Sequence, residues 1–108
     1  MMNYRKVTAI FRFEQLEKVE HKLQDLGVKG LSVSKVKGYG EYADFYANDW
    51  LTTHVRLELF LEEKDAEITV QAIMAAASLD MEGDGIVAIL PVEKLYQIRT
   101  KTELNDNT

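Results

Sequence analysis

The side chains with chemistry to offer fall in three stretches of the chain. Gly38-Tyr39-Gly40 and Gly83-Asp84-Gly85 are Gly-x-Gly elements. Residues without a Cβ accept positive φ and let backbone N–H groups approach an anion closely, and the same composition also makes an ordinary turn. Between the two elements, Glu41, Asp44, Asp49 and His54 bring together carboxylate and imidazole groups of the kind that suits zinc, copper or nickel. Their spacing matches no established ligand motif, so a solvated acidic loop is the better reading of them. In the same stretch Tyr42, Phe45, Tyr46 and Trp50 fall at steps of three, four and eight from the first, which would line one side of a short helix. Such rings serve either as anchors for a partner or as cover for the sheet or a neighbouring subunit.

Other chemistry is excluded. The chain has no cysteine, which removes disulfides, thiolate nucleophiles and Cys-ligated zinc and is compatible with a reducing cytoplasm. No nucleophile stands with a general base, and no Arg and Asn are poised at a phosphate loop as a small hydrolase of this size would need, so the chain is not expected to be an enzyme. His21 sits between Glu20 and Lys22 on the outer side of a helix and reads as a surface residue. Glu62, Glu63, Asp65 and Glu67 gather at a helix start, where the macrodipole favours them.

The elements that must position these residues are legible from periodicity. Residues Lys6 to Phe13 alternate, with Val7, Ala9, Phe11 and Phe13 on one side, as a half-buried strand does. Leu16, Val19, Leu23 and Leu26 then recur at helical spacing up to Gly27. Leu31 to Lys37 alternates again as a second strand, and His54 to Leu61 forms a third, with Val55, Leu57, Leu59 and Leu61 on one face. A second helix is expected from about Asp65, carrying Val70, Ile73, Met74 and Ala77 inward, with Asp65 accepting backbone N–H bonds near its start. After turn residues at 80–85, Ile86 to Leu90 reads as an apolar strand ended by Pro91, and Gln97 to Thr100 as a further edge strand.

The order βαββαβ is that of a ferredoxin-like α+β fold: an antiparallel four-stranded sheet with both helices on one face. The other face is left bare, and such a face is commonly buried by oligomerisation. One domain over residues 1–100 is expected, followed by a polar, frayed tail over 101–108. The net charge of −5, from 18 acidic and 13 basic residues with no basic run, argues against nucleic acid. No segment approaches the ~18 apolar residues of a membrane span, and the N-terminus lacks the apolar core of a signal peptide, so a soluble cytoplasmic protein with no membrane insertion is expected.

Several of these residues resemble a known family. The run Gly27-Val28-Lys29-Gly30-Leu31-Ser32-Val33-Ser34-Lys35-Val36-Lys37-Gly38-Tyr39-Gly40 is similar to the helix-to-strand segment G-x-x-G-[ML]-[TS]-V-x-x-V-K-G-[FY]-G of the PII signal-transduction proteins. Glu82-Gly83-Asp84-Gly85 resembles their glycine-rich phosphate loop, and Gln97-Ile98-Arg99-Thr100 their closing R-x-R-T stretch. The resemblance implies a homotrimer whose three intersubunit clefts bind ATP, ADP or another adenine nucleotide. It also implies a long loop that regulates a target enzyme or transporter, in nitrogen metabolism for the family at large. In that register Ser32 takes the place of a hydroxyl that touches adenine, Asp84 would order the loop, and Arg99 would offer its guanidinium to a phosphate. Gly38, Gly40, Gly83 and Gly85 complete the implied cleft, and Tyr42, Phe45, Tyr46 and Trp50 the implied partner loop.

The departures from the family pattern are equally specific. The Lys that follows G-D-G in the family is Ile86 here, the first Arg of R-x-R is Gln97, and the basic residue ending the long loop is His54. The family's Arg-Gln pair after the second glycine is Glu41-Tyr42, so its 2-oxoglutarate contact is not carried over. The loop from Gly40 to His54 is several residues short of the family's and lacks its modified tyrosine. A second reading follows from that loop: a metal-tolerance trimer of the CutA type, using Glu41 and His54 as ligands.

Overall fold

The computed structural model describes residues 3–36 and 54–104. The chain runs β1 (Tyr4–Arg12), α1 (Leu16–Asp25), β2 (Ser32–Val36), β3 (His54–Glu62), α2 (Glu63–Ala77) and β4 (Gly85–Val92), then a small hairpin of β5 (Tyr96–Gln97) and β6 (Thr102–Glu103). The four longer strands form one antiparallel sheet in the order β2-β3-β1-β4. This is the expected ferredoxin-like arrangement, with β1 and β3 central and β2 and β4 at the edges.

Alternation along the two central strands sends Val7, Ala9, Phe11, Val55, Leu57 and Leu59 to the helical face, where each is almost fully buried. Val19 and Leu23 of α1 and Val70, Ile73 and Ala77 of α2 close over them to make the core. Burying an aliphatic side chain of this size contributes about 1.5–3 kcal/mol, so this layer dominates the favourable side of folding.

Helix ends are satisfied mostly by backbone. After α1, the N–H of Gly27 reaches the Gln24 carbonyl at 2.9 Å and that of Val28 reaches Leu23 at 3.0 Å, a Schellman closure that places Gly27 at φ +84. Val28 packs against the core beside it. Helix α2 begins at Glu63, two residues before the expected start, because the Asn3 carbonyl accepts the Glu63 N–H at 2.8 Å. No side chain caps that end, so Asp65 does not play the expected part. At the far end Gln15, buried in the single 3-10 turn between β1 and α1, donates Nε2–H to the Ala76 carbonyl at 3.2 Å.

Other expectations change as well. Phe13 is 47% exposed, because β1 ends at Arg12 and the 3-10 turn rotates the next side chain off the inner face. Met74 and Leu26 are also exposed: Met74 lies on the outer side of α2, and Leu26 lies beyond the last turn of α1. Pro91 does not end β4; it pairs with Arg5 and the strand continues to Val92, which an edge strand allows because the missing N–H is not required inward. The closing residues do not extend the main sheet. Tyr96–Gln97 pair instead with Thr102–Glu103, and the Leu104 N–H reaches the Leu95 carbonyl at 2.8 Å.

The face away from the helices carries Lys6, Thr8, Ile10 and Arg12 of β1, directly opposite Phe60, Glu58, Arg56 and His54 of β3. Lys6 and Arg56 flank Glu58 as ion-pair partners. The Lys6 hydrogen bond holds the Glu58 carboxyl below its ordinary range against the opposing effect of desolvation, with the Lys6 and Arg56 charges assisting. Phe60, Ile86 and Leu90 remain exposed.

Candidate functional site

The strongest concentration of polar order lies where α2 gives way to β4, over the end of the sheet formed by Arg12 and His54. Ser78 to Asp84 fold back on themselves, with Asp80 at φ +56 and Gly83 at φ +89. Asp84 is the organiser. Its Oδ2 accepts the N–H of Leu79 at 2.9 Å, the N–H of Met81 at 3.2 Å and the Ser78 hydroxyl at 3.2 Å, while its Oδ1 faces Arg12 Nε at 3.4 Å. Desolvation alone would raise the Asp84 pKa. The Leu79 and Met81 amides, the Ser78 hydroxyl and the Arg12 guanidinium outweigh it and leave the carboxyl below its usual range.

Beneath the loop lie two cationic or ring side chains with almost no exposure, Arg12 at 1% and His54 at 0%. They are direct cross-strand partners at the end of β1 and the beginning of β3. Arg12 Nη2 donates to the Glu82 carbonyl at 2.6 Å, and His54 Nε2 lies 3.1 Å from the Gly83 carbonyl. A carbonyl can only accept, so that ring nitrogen carries the proton. Gly85 then enters β4 at φ +115, so close to β1 that a Cβ there would sit 1.8 Å from the Ile10 carbonyl oxygen. Between β4 and the last turns of α2 a cavity of about 400 Å³ opens, lined mainly by Ile10, Ile73, Met74, Ala77, Ile86 and Val87, with Ser78 and Asp84 at one end.

Of the residues singled out in the sequence, Gly83, Asp84 and Gly85 are brought together in this loop. Ser32 and Arg99 are not part of it. Ser32 is exposed on edge strand β2, in a row with Glu58, Thr8 and Ala88 across the whole sheet. Three interstrand steps of ~4.8 Å put it roughly 14 Å from β4. Arg99 is exposed in the turn between β5 and β6. Gly38, Gly40, Glu41, Tyr42, Asp44, Phe45, Tyr46, Asp49 and Trp50 lie outside the described residues. Arg12, Gln15 and Ser78 were not marked by any motif. An arginine closing an otherwise apolar alternation was the one local sign of Arg12, and its partners lie about seventy residues away.

The family model described as "Nitrogen regulatory protein P-II" matches residues 4–102. The chain belongs to the P-II family. Among curated relatives, a nitrogen regulatory protein P-II of Cereibacter sphaeroides is 38% identical over 104 residues, covering 89% of this chain and 92% of that one. A nitrogen regulatory protein P-II 1 of Methanothermobacter thermautotrophicus is 37% identical over 108 residues, covering 93% of each. Among solved structures, Arabidopsis thaliana PII bound to citrate superposes with a TM-score of 0.80 at 27% identity, covering 97% of this chain and 91% of that one.

The P-II assignment makes the protein a PII-like signal-transduction regulator of the nitrogen regulatory type, and P-II proteins are regulators rather than enzymes as a class. These P-II matches give no support to the CutA-type alternative. His54 turns Nε2 to the Gly83 carbonyl at 3.1 Å, and among the described residues, which do not include Glu41, no group of three or more His, Cys, Asp or Glu side chains is arranged to hold a metal. No helix among the described residues is long and apolar enough to cross a membrane.

Proposed function

We propose that this P-II protein works as a homotrimer whose intersubunit clefts take an adenine nucleotide or a related small anion, and that occupancy of the cleft changes how the protein engages a target enzyme or transporter in the cytoplasm. The observation that carries the reading is the separation of the parts. The Gly83–Gly85 loop lies by β4, while Ser32 stands on the opposite edge strand, the full width of the sheet away. A cleft in which one copy supplies the loop and its neighbour supplies Ser32 and Arg99 uses both.

The bare sheet face, with Phe60, Ile86 and Leu90 exposed, gives the copies a surface to bury against one another. Ile86 in place of the family's lysine leaves the loop with backbone donors and fewer charges, which favours a ligand held less by polyphosphate charge than in the rest of the family. The segment with Tyr42, Phe45, Tyr46 and Trp50 supplies the partner surface in this reading, and 2-oxoglutarate is not its effector. Light scattering gives the assembly, and titration calorimetry with ATP, ADP, cyclic AMP and 2-oxoglutarate gives the effector. A monomer, or no heat with any nucleotide, would remove the corresponding part.

A further inference from the structure

Two successive carbonyls of the ligand loop, those of Glu82 and Gly83, are both turned down onto side chains buried in the sheet. Arg12 takes the first at 2.6 Å and His54 the second at 3.1 Å. Because the peptide unit is planar and trans, the N–H of Gly83 must point opposite to the Glu82 carbonyl, away from Arg12 and the sheet. The next amide, that of Asp84, closes a turn on the Met81 carbonyl at 3.2 Å. This orientation requires Gly83 to hold φ +89, a region that costs most residues dearly. The Asp84 carboxylate gathers Ser78, Leu79 and Met81 on one side of the loop, and the Arg12 and His54 tethers fix the Glu82 and Gly83 carbonyls on the other.

We propose that Arg12 and His54 are positioning residues for the effector loop: they pin its carbonyls inward and so aim the glycine amide at the ligand. The role rests on the reading that the Gly83–Gly85 loop receives an anion. Arg12 is shared between the Glu82 carbonyl and the Asp84 carboxylate, so removing it loosens both ends of the loop. His54 makes the more selective handle, because its ring touches the loop at the Gly83 carbonyl while its backbone pairs with both Arg12 and Val36. A histidine at this position therefore links the loop to the start of β3 and to the end of β2. Coupling of this kind acts in both directions: a ligand that tightens the loop also holds the His54 end of the sheet.

The test uses the full chain and ADP as probe. In the unmodified protein, ring-nitrogen NMR should show His54 protonated at Nε2 near neutral pH. His54→Leu should speed amide exchange at Gly83–Ile86 by about tenfold while leaving Val7–Phe11 protected, and should weaken ADP by about fivefold. His54→Gln, whose amide can donate to the same carbonyl, should restore both. An unprotonated Nε2, or a folded His54→Leu protein with unchanged loop exchange and affinity, overturns the proposal. If the unmodified protein takes no ADP, the nucleotide reading fails while the ring tautomer and loop exchange still decide the positioning role. If His54→Leu does not fold, the ring tautomer and the exchange of His54→Gln decide it.

Discussion

Arg12 and Asp84 stand 72 residues apart in the chain and meet with Nε and Oδ1 3.4 Å apart, the arginine buried and the carboxylate keeping about a fifth of its side chain in solvent. The pair joins the end of β1 to the loop that opens β4. Replacing Arg12 with Ala removes this ion pair and the Glu82 tether together. A fully buried pair broken on one side costs about 3–5 kcal/mol, and the partial exposure of Asp84 lowers the expectation to about 2–3 kcal/mol. Urea unfolding of Arg12→Ala reads the loss directly. Arg12→Lys should recover only part of it, because an ammonium cannot span the carbonyl and the carboxylate in the same fork.

Asp84 gives stability a dependence on acid. Its folded pKa is depressed, so the stabilisation is complete above its unfolded value of about 3.9 and is lost as pH falls through the lower folded value. Asp84→Asn should therefore be less stable than the unmodified protein at neutral pH, and the gap should narrow as pH drops below about 4. Denaturant midpoints of both proteins across that range measure it. A constant gap would assign the effect to hydrogen-bond geometry rather than charge.

Two glycines with positive φ should respond very differently to alanine. At Gly27 nothing lies within 4 Å of the added Cβ, so only the left-handed backbone resists, at about 1 kcal/mol. At Gly85 the same methyl would be 1.8 Å from the Ile10 carbonyl oxygen, and its obstacle is backbone of the central strand. Gly85→Ala should part the first residues of β4 from β1 and cost upwards of ~3 kcal/mol. Thermal unfolding of the two variants side by side separates open space from close approach.

Ile86 marks where this protein leaves its family. Ile86→Lys restores the charge that follows G-D-G elsewhere, and its exposed position leaves room for the longer chain without disturbing the core. One added charge-assisted contact is worth about 1.5–3 kcal/mol in a protected site, so ATP affinity by calorimetry should rise by about tenfold or more. An unchanged affinity would place the phosphates away from this residue.

The amino-acid order alone carried the element sequence, the inner faces of β1 and β3, the helix stop at Gly27 and the family register around Gly83-Asp84-Gly85. Those features are local: a period of two or of 3.6, or a glycine where φ must be positive, is written in neighbouring residues. Phe13, Leu26 and Met74 were misplaced because an element's last turn, and the width of its buried stripe, depend on what packs above it. Pro91 was misread because edge and interior strands differ in tolerance for it, and strand order is not a local property. Only the tertiary structure decided that Arg12 and His54 lie side by side under the loop, and that Ser32 lies on the edge strand opposite the one that the Gly83–Gly85 loop opens. Both depend on strand registry across the sheet, where each contact joins residues tens of positions apart and leaves no period to read.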